Sequence, residues 1–100
     1  MNGINYTNHS LRRMSERKIT KNDIQVCIQY GYKIHRTGIR YYVILNKQII
    51  ENNLPEKFNG LCALVSNDGT LITTFKNKDA LNHIRRLSKM YLKKLSSHLA

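Results

Sequence analysis

His9, Arg13 and Arg17 recur at every fourth residue. On a helix, positions i, i+4 and i+8 drift by only about 80° of arc, so the three side chains climb one side. An imidazole beside two guanidinium groups suits work on a phosphodiester, because the ring can take a proton while arginine forks hold phosphate oxygens in pairs. A place in the first helical turn sharpens this. The positive end of the helix dipole and the neighbouring cations favour the neutral imidazole, the form that accepts a proton. Free amide donors at the same helix start attract phosphate. The plain structural alternative makes His9 a helix-start residue and lets Arg13 and Arg17 form a solvated face or pair with Glu16 and Asp23.

A second set lies around Thr37-Gly38, a two-residue connection between Tyr32 to Arg36 and Ile39 to Leu45 that reads as a hairpin. Its register pairs Arg36 with Ile39, His35 with Arg40, Ile34 with Tyr41, Lys33 with Tyr42 and Tyr32 with Val43. One face then carries Ile34, Tyr41, Tyr32 and Val43 and belongs to the core. The other carries Lys33, His35, Arg40 and Tyr42, an exposed mix of cations and an aromatic that suits single-stranded RNA. Arg36, and Lys76 at the end of a later strand, extend the basic surface. If the first helix folds over an edge of this sheet, two histidines and several arginines surround one phosphodiester. Metal-free RNA cleavage needs such a set: a base for the 2′-hydroxyl, an acid for the leaving oxygen and fixed positive charge for the transition state. No cluster of carboxylates is spaced to hold catalytic metals, and Asp68 and Asp79 suit a turn and a helix start. The expectation is chemistry without metal or other cofactor.

Charge agrees with this choice of substrate. Among 100 residues, 17 Lys and Arg against 6 Asp and Glu leave a net charge of +11, which attracts polyanions. The longest apolar runs, Tyr41 to Leu45 and Leu61 to Val65, fall far short of a membrane span. Met1 to Thr7 lacks the cationic start and apolar stretch of a secretion signal, so the expected compartment is the cytoplasm. Cys27 and Cys62 are too few and too far apart for a zinc site, and read as buried reduced thiols.

The elements that must position these residues follow from periodicity. Thr7 or Asn8 caps a helix over about 9–18 with Leu11 and Met14 turned inward. Thr20 opens a second helix through a capping box with Asp23; Ile24, Cys27 and Ile28 face inward and Gly31 stands where a left-handed terminator belongs. Asn46 to Gly60 reads as a loop with one helical turn around Gln48 to Glu51. Leu61 to Ser66 suits a central strand, and Asn67-Asp68-Gly69 turns the chain into Leu71 to Phe75. From Asp79, the residues Ala80, Ile84, Leu87, Tyr91 and Leu95 keep helical spacing, with Arg85, Arg86, Lys89, Lys93 and Lys94 off that stripe. The expected fold class is α+β in a single domain over 1–100: two N-terminal helices, a four-stranded mainly antiparallel sheet and a long C-terminal basic helix over about 79–98.

The segment His9-x-x-x-Arg13-Met14-x-x-Arg17, then Ile19-Thr20 and Tyr30-Gly31, resembles a widespread bacterial domain family of unknown function, number 4258. Arg36-Thr37-Gly38, a tyrosine-bearing strand, and Asn67-Asp68-Gly69-Thr70-Leu71-Ile72-Thr73 leading into Phe75-Lys76 also fit, over about residues 8–78. That family looks like a member of the group of RelE-type toxins, barnase-like and EndoU-like nucleases and colicin ribonuclease domains. The resemblance implies helices followed by a four-stranded antiparallel sheet, and RNA cleavage without metal. It singles out His9, Arg13, Arg17 and Thr73 as the catalytic positions. The chain departs from RelE-type toxins in ending its sheet on Phe75-Lys76. The leading expectation is a toxin-like endoribonuclease acting by 2′-hydroxyl attack, with RNA and a neutralising antitoxin or immunity protein as partners. Two alternatives are a non-catalytic RNA- or DNA-binding module and a basic module that docks an acidic protein.

Overall fold

A computed structural model describes residues 3–79 and residue 82. Its elements are α1 (Asn8–Arg17), α2 (Lys21–Tyr30), β1 (Tyr32–Arg36), β2 (Ile39–Val43), α3 (Asn46–Asn52), a 3-10 turn (Glu56–Phe58), β3 (Leu61–Ser66) and β4 (Leu71–Lys76). The four strands form one sheet in the order β1-β2-β3-β4, every neighbouring pair antiparallel. The long basic helix expected after Asp79 lies outside the described residues.

Local chemistry sets the ends of the first two helices. Thr7 and Ser10 form a reciprocal capping box on α1, as do Thr20 and Asp23 on α2, so each helix start satisfies two backbone N–H groups with its own side chains. Lys18 ends α1 in the left-handed region, and the N–H of Ile19 returns to the Met14 carbonyl. Gly31 does not adopt the expected left-handed conformation; its φ is −71°. Glycine is needed there for space, since a Cβ would stand 2.4 Å from the Cys27 carbonyl oxygen.

The β1–β2 register is the one read from the sequence, from Tyr32 opposite Val43 to Arg36 opposite Ile39. What differs is which face the helices cover. α1 packs on β4 while α2 packs on β2 and β3, and their shared core holds Met14, Ile24, Cys27, Tyr42, Ala63, Val65 and Leu71. Tyr42 is therefore buried, at 8% exposure, where an exposed stacking group was expected. Tyr41, Val43 and Cys62 are also buried, in a second cluster beside Ile34, Leu64 and Phe75. With both faces covered at β2, burial cannot follow a simple in-and-out alternation.

Two further expectations change. Leu11 is 38% exposed while the neighbouring Ser10 is fully buried, because Ser10 must reach back to the Thr7 backbone. Asn46 to Gly60 is more ordered than a loop. Its α3 buries Ile49 and its 3-10 turn buries Phe58 in the helix-side core.

Candidate functional site

At the seam of α1 and β4 the structure joins the two ends of the motif. Arg17 ends α1 and reaches the outer strand: its Nη1 donates to the Thr74 carbonyl at 2.6 Å and lies 3.4 Å from Thr73 Oγ1. A hydroxyl that accepts in this way keeps its own proton to donate. A guanidinium has five N–H donors, and among the described residues Nε and Nη2 of Arg17 make no hydrogen bond, so one fork remains intact for an oxyanion.

His9 sits in the first turn of α1 and is exposed, two turns before Arg17. Arg13 lies between them, half-buried, with Nη1 3.3 Å from Glu16 Oε2. Both partners of that pair keep substantial exposure, so the contact is weak and gives way readily to a competing phosphate. Asp23 is buried and caps α2, its carboxylate accepting from the Thr20 amide at 2.9 Å, and among the described residues no hydrogen bond or ion pair joins it to the arginines.

The hairpin residues gather at the other side of the sheet. Lys33, His35 and Arg36 are exposed on β1, the free edge strand, and Arg36 turns back to donate to the His35 carbonyl at 2.8 Å. His35 stands opposite Arg40. Arg40 is half-buried; its Nη2 lies 3.5 Å from the Ser66 carbonyl. Lys76 is exposed at the end of β4.

The two sets do not surround one phosphodiester. β1 and β4 are the opposite edges of the sheet, three strand spacings apart, which is roughly 14 Å. α1 packs on β4, so Arg17 meets Thr73. His9 stands in the first turn of the same helix, roughly 12 Å of helix rise from Arg17, and α1 lies over the edge opposite the strand that carries His35.

Sequence reasoning missed Thr74 and the chemical part of Asp68. Thr74 is fully buried in the strand that offers Thr73, and its Oγ1 donates to the Cys62 carbonyl at 2.7 Å. Asp68 was legible only as a turn residue. Its carboxylate accepts from the Ser66 hydroxyl and from the Thr70 amide, contacts that hold it below the usual carboxylate range. A Ser-x-Asp-x-Thr spacing around a glycine turn is the signal that could have found it.

Cys27 and Cys62 are both buried and free. Loss of hydration pushes both thiols up, Cys62 to about 12. They are not poised as nucleophiles. Among the described residues no three His, Cys, Asp or Glu side chains group as metal ligands, and no helix is long and apolar enough to cross a membrane.

No curated protein and no solved structure matches the chain. A family model described as Domain of unknown function (DUF4258) matches residues 6–76, from the strand-like lead into α1 to the last residue of β4. The match takes in α1, Thr73 and the whole sheet, well over half of the sequence, and the chain belongs to that family.

Proposed function

We propose that the chain is a metal-independent, toxin-like endoribonuclease whose cleavage site is the α1–β4 seam. The observation that carries this reading is the convergence of Arg17 with Thr73, across 56 positions of sequence, on the same helix side as His9 and Arg13. In this reading His9 takes the proton of a ribose 2′-hydroxyl. The 2′ oxygen attacks the adjacent phosphorus, the bond to the 5′ oxygen breaks, and a 2′,3′-cyclic phosphate remains. Arg13 and the open fork of Arg17 hold the phosphate as its charge grows, while the Thr73 hydroxyl donates to a third oxygen. His35 lies at the far sheet edge, so the departing 5′ oxygen takes its proton from solvent. RNA meets the surface through Lys33, His35, Arg36, Arg40 and Lys76. Such an enzyme acts in the cytoplasm and calls for an acidic neutralising protein.

Incubating the purified protein with total RNA, with and without a chelator, tests the proposal. Cleavage that survives the chelator and leaves cyclic phosphate ends supports it; intact RNA overturns it. A second reading, RNA binding without cleavage, is favoured by the contacts that already occupy Arg13 and part of Arg17. Binding of intact RNA is its signature.

A further inference from the structure

The hairpin side of the molecule contains a cavity of about 200 Å³ that the proposed cleavage step does not use. Ile4, Ile28 and Val65 give it apolar walls, Tyr42 an aromatic one, and Arg40 and Asp68 bring opposite charges to the same space. One atom of the lining arginine is conspicuous. Arg40 Nε is buried and, among the described residues, has no hydrogen-bond partner. A buried donor left unpaired is costly, and such groups are normally satisfied by a neighbour, a water or a ligand.

The lining decides what kind of ligand belongs there. A free phosphate gains from Arg40 but is repelled by the Asp68 carboxylate and gains nothing from three aliphatic walls. A planar heterocycle uses all of it. A cavity of roughly 150 Å³ holds a benzene ring, so this one takes a single base and not a whole nucleotide. The guanidinium asks for ring acceptors, and the carboxylate, fixed by Ser66 and Thr70, asks for ring N–H groups. Guanine presents O6 and N7 as acceptors, the pair arginine reads best, and carries N1–H and N2–H donors for a carboxylate. Adenine puts an amino group where guanine has O6, which sets donor against donor.

We propose that the cavity lined by Arg40, Tyr42 and Asp68 is a base-binding pocket for guanine. It shares with the proposed function the nucleic-acid ligand and Arg40 as a point of RNA contact, and does not depend on cleavage at the α1–β4 seam.

Titrating the full chain with 5′-GMP, 5′-AMP and inorganic phosphate, followed by NMR, tests this. GMP should move the Arg40 Nε–H resonance saturably, with an affinity at least about 10-fold above that of AMP, since each lost polar match is worth that much or more. Asp68→Asn should lower GMP affinity about 10-fold. Because Asp68 is exposed, that variant is expected to fold, and Arg40→Lys, which keeps the charge but deletes Nε, provides a second reading of the same loss. Equal shifts from GMP and AMP, equal shifts from inorganic phosphate, or no shift at millimolar GMP would overturn the pocket. RNA cleavage measured beside the titration separates the two proposals: cleavage without GMP binding removes the pocket alone, and GMP binding without cleavage removes the nuclease alone.

Discussion

Arg17 Nη1 lies 3.4 Å from Thr73 Oγ1, and this contact ties the last turn of the first helix to the outer strand of the sheet. The same nitrogen donates to the Thr74 carbonyl at 2.6 Å, so the guanidinium is anchored to protein on one side and open on the other. An arginine used only to pin a helix would not need a neighbouring hydroxyl and a histidine and a second arginine along its face.

If Thr73 donates to the phosphate, Thr73→Val keeps the β-branched shape and deletes the donor. Single-turnover cleavage at saturating protein should fall by about 10- to 100-fold while Tm changes little, in line with loss of one transition-state hydrogen bond. Arg13→Lys keeps the charge but loses the fork and should fall similarly. Wild-type rates in both variants would mean that the site is misplaced.

His9 is exposed in the first turn of α1 and makes no core contact, so His9→Ala should hold Tm within a few degrees. Loss of a general base should lower cleavage about 100-fold or more. Full activity in the variant would transfer the base role elsewhere.

RNA binding should weaken linearly on a log-log plot against salt, with a slope near 0.7 for each phosphate neutralised on a single strand. The exposed Lys33 and Arg36 on the free edge strand should contribute about one such increment each when changed to Ala. A flat salt dependence would remove nucleic acid as the ligand.

Thr74→Val tests the strand behind the site. The hydroxyl is fully buried and donates to the carbonyl of Cys62, a residue also paired with Phe75 in the sheet, so the change removes one buried hydrogen bond, at a cost of about 0.5–1.5 kcal/mol. Chemical denaturation should show a lower midpoint at unchanged slope.

The thiols give a pH signature. Both are raised in the fold, Cys62 to about 12, so the folded protein keeps protons that an unfolded chain releases near pH 9. Their contribution is complete below that value and is lost as pH rises from about 9 toward 12. Cys62→Ala should flatten this alkaline slope of stability, and native protein should resist thiol reagents at pH 8.

Much of the scaffold could be read from the chain because its signals are local. Capping pairs Thr7 with Ser10 and Thr20 with Asp23 within one turn of helix. The register of β1 and β2 follows from a two-residue connection, and Asn67-Asp68-Gly69 turns β3 into β4 as its composition dictates. The spacing of His9, Arg13 and Arg17 likewise fixes their common helix side once α1 forms. Which face of the sheet the helices cover is not local. Adjacent tyrosines at 41 and 42 offer equally apolar surfaces to opposite faces, and only the packing of α2 on β2 and β3 puts Tyr42 under a helix and beside a cavity. The placement of α1 is the same kind of decision. Nothing in its sequence says which sheet edge it crosses, and crossing at β4 joins Arg17 to Thr73 and lays the helix that carries His9 over the edge opposite the strand that carries His35. Residue types and spacing thus determined which chemistry the chain carries, and long-range packing of apolar surface decided which of those groups meet.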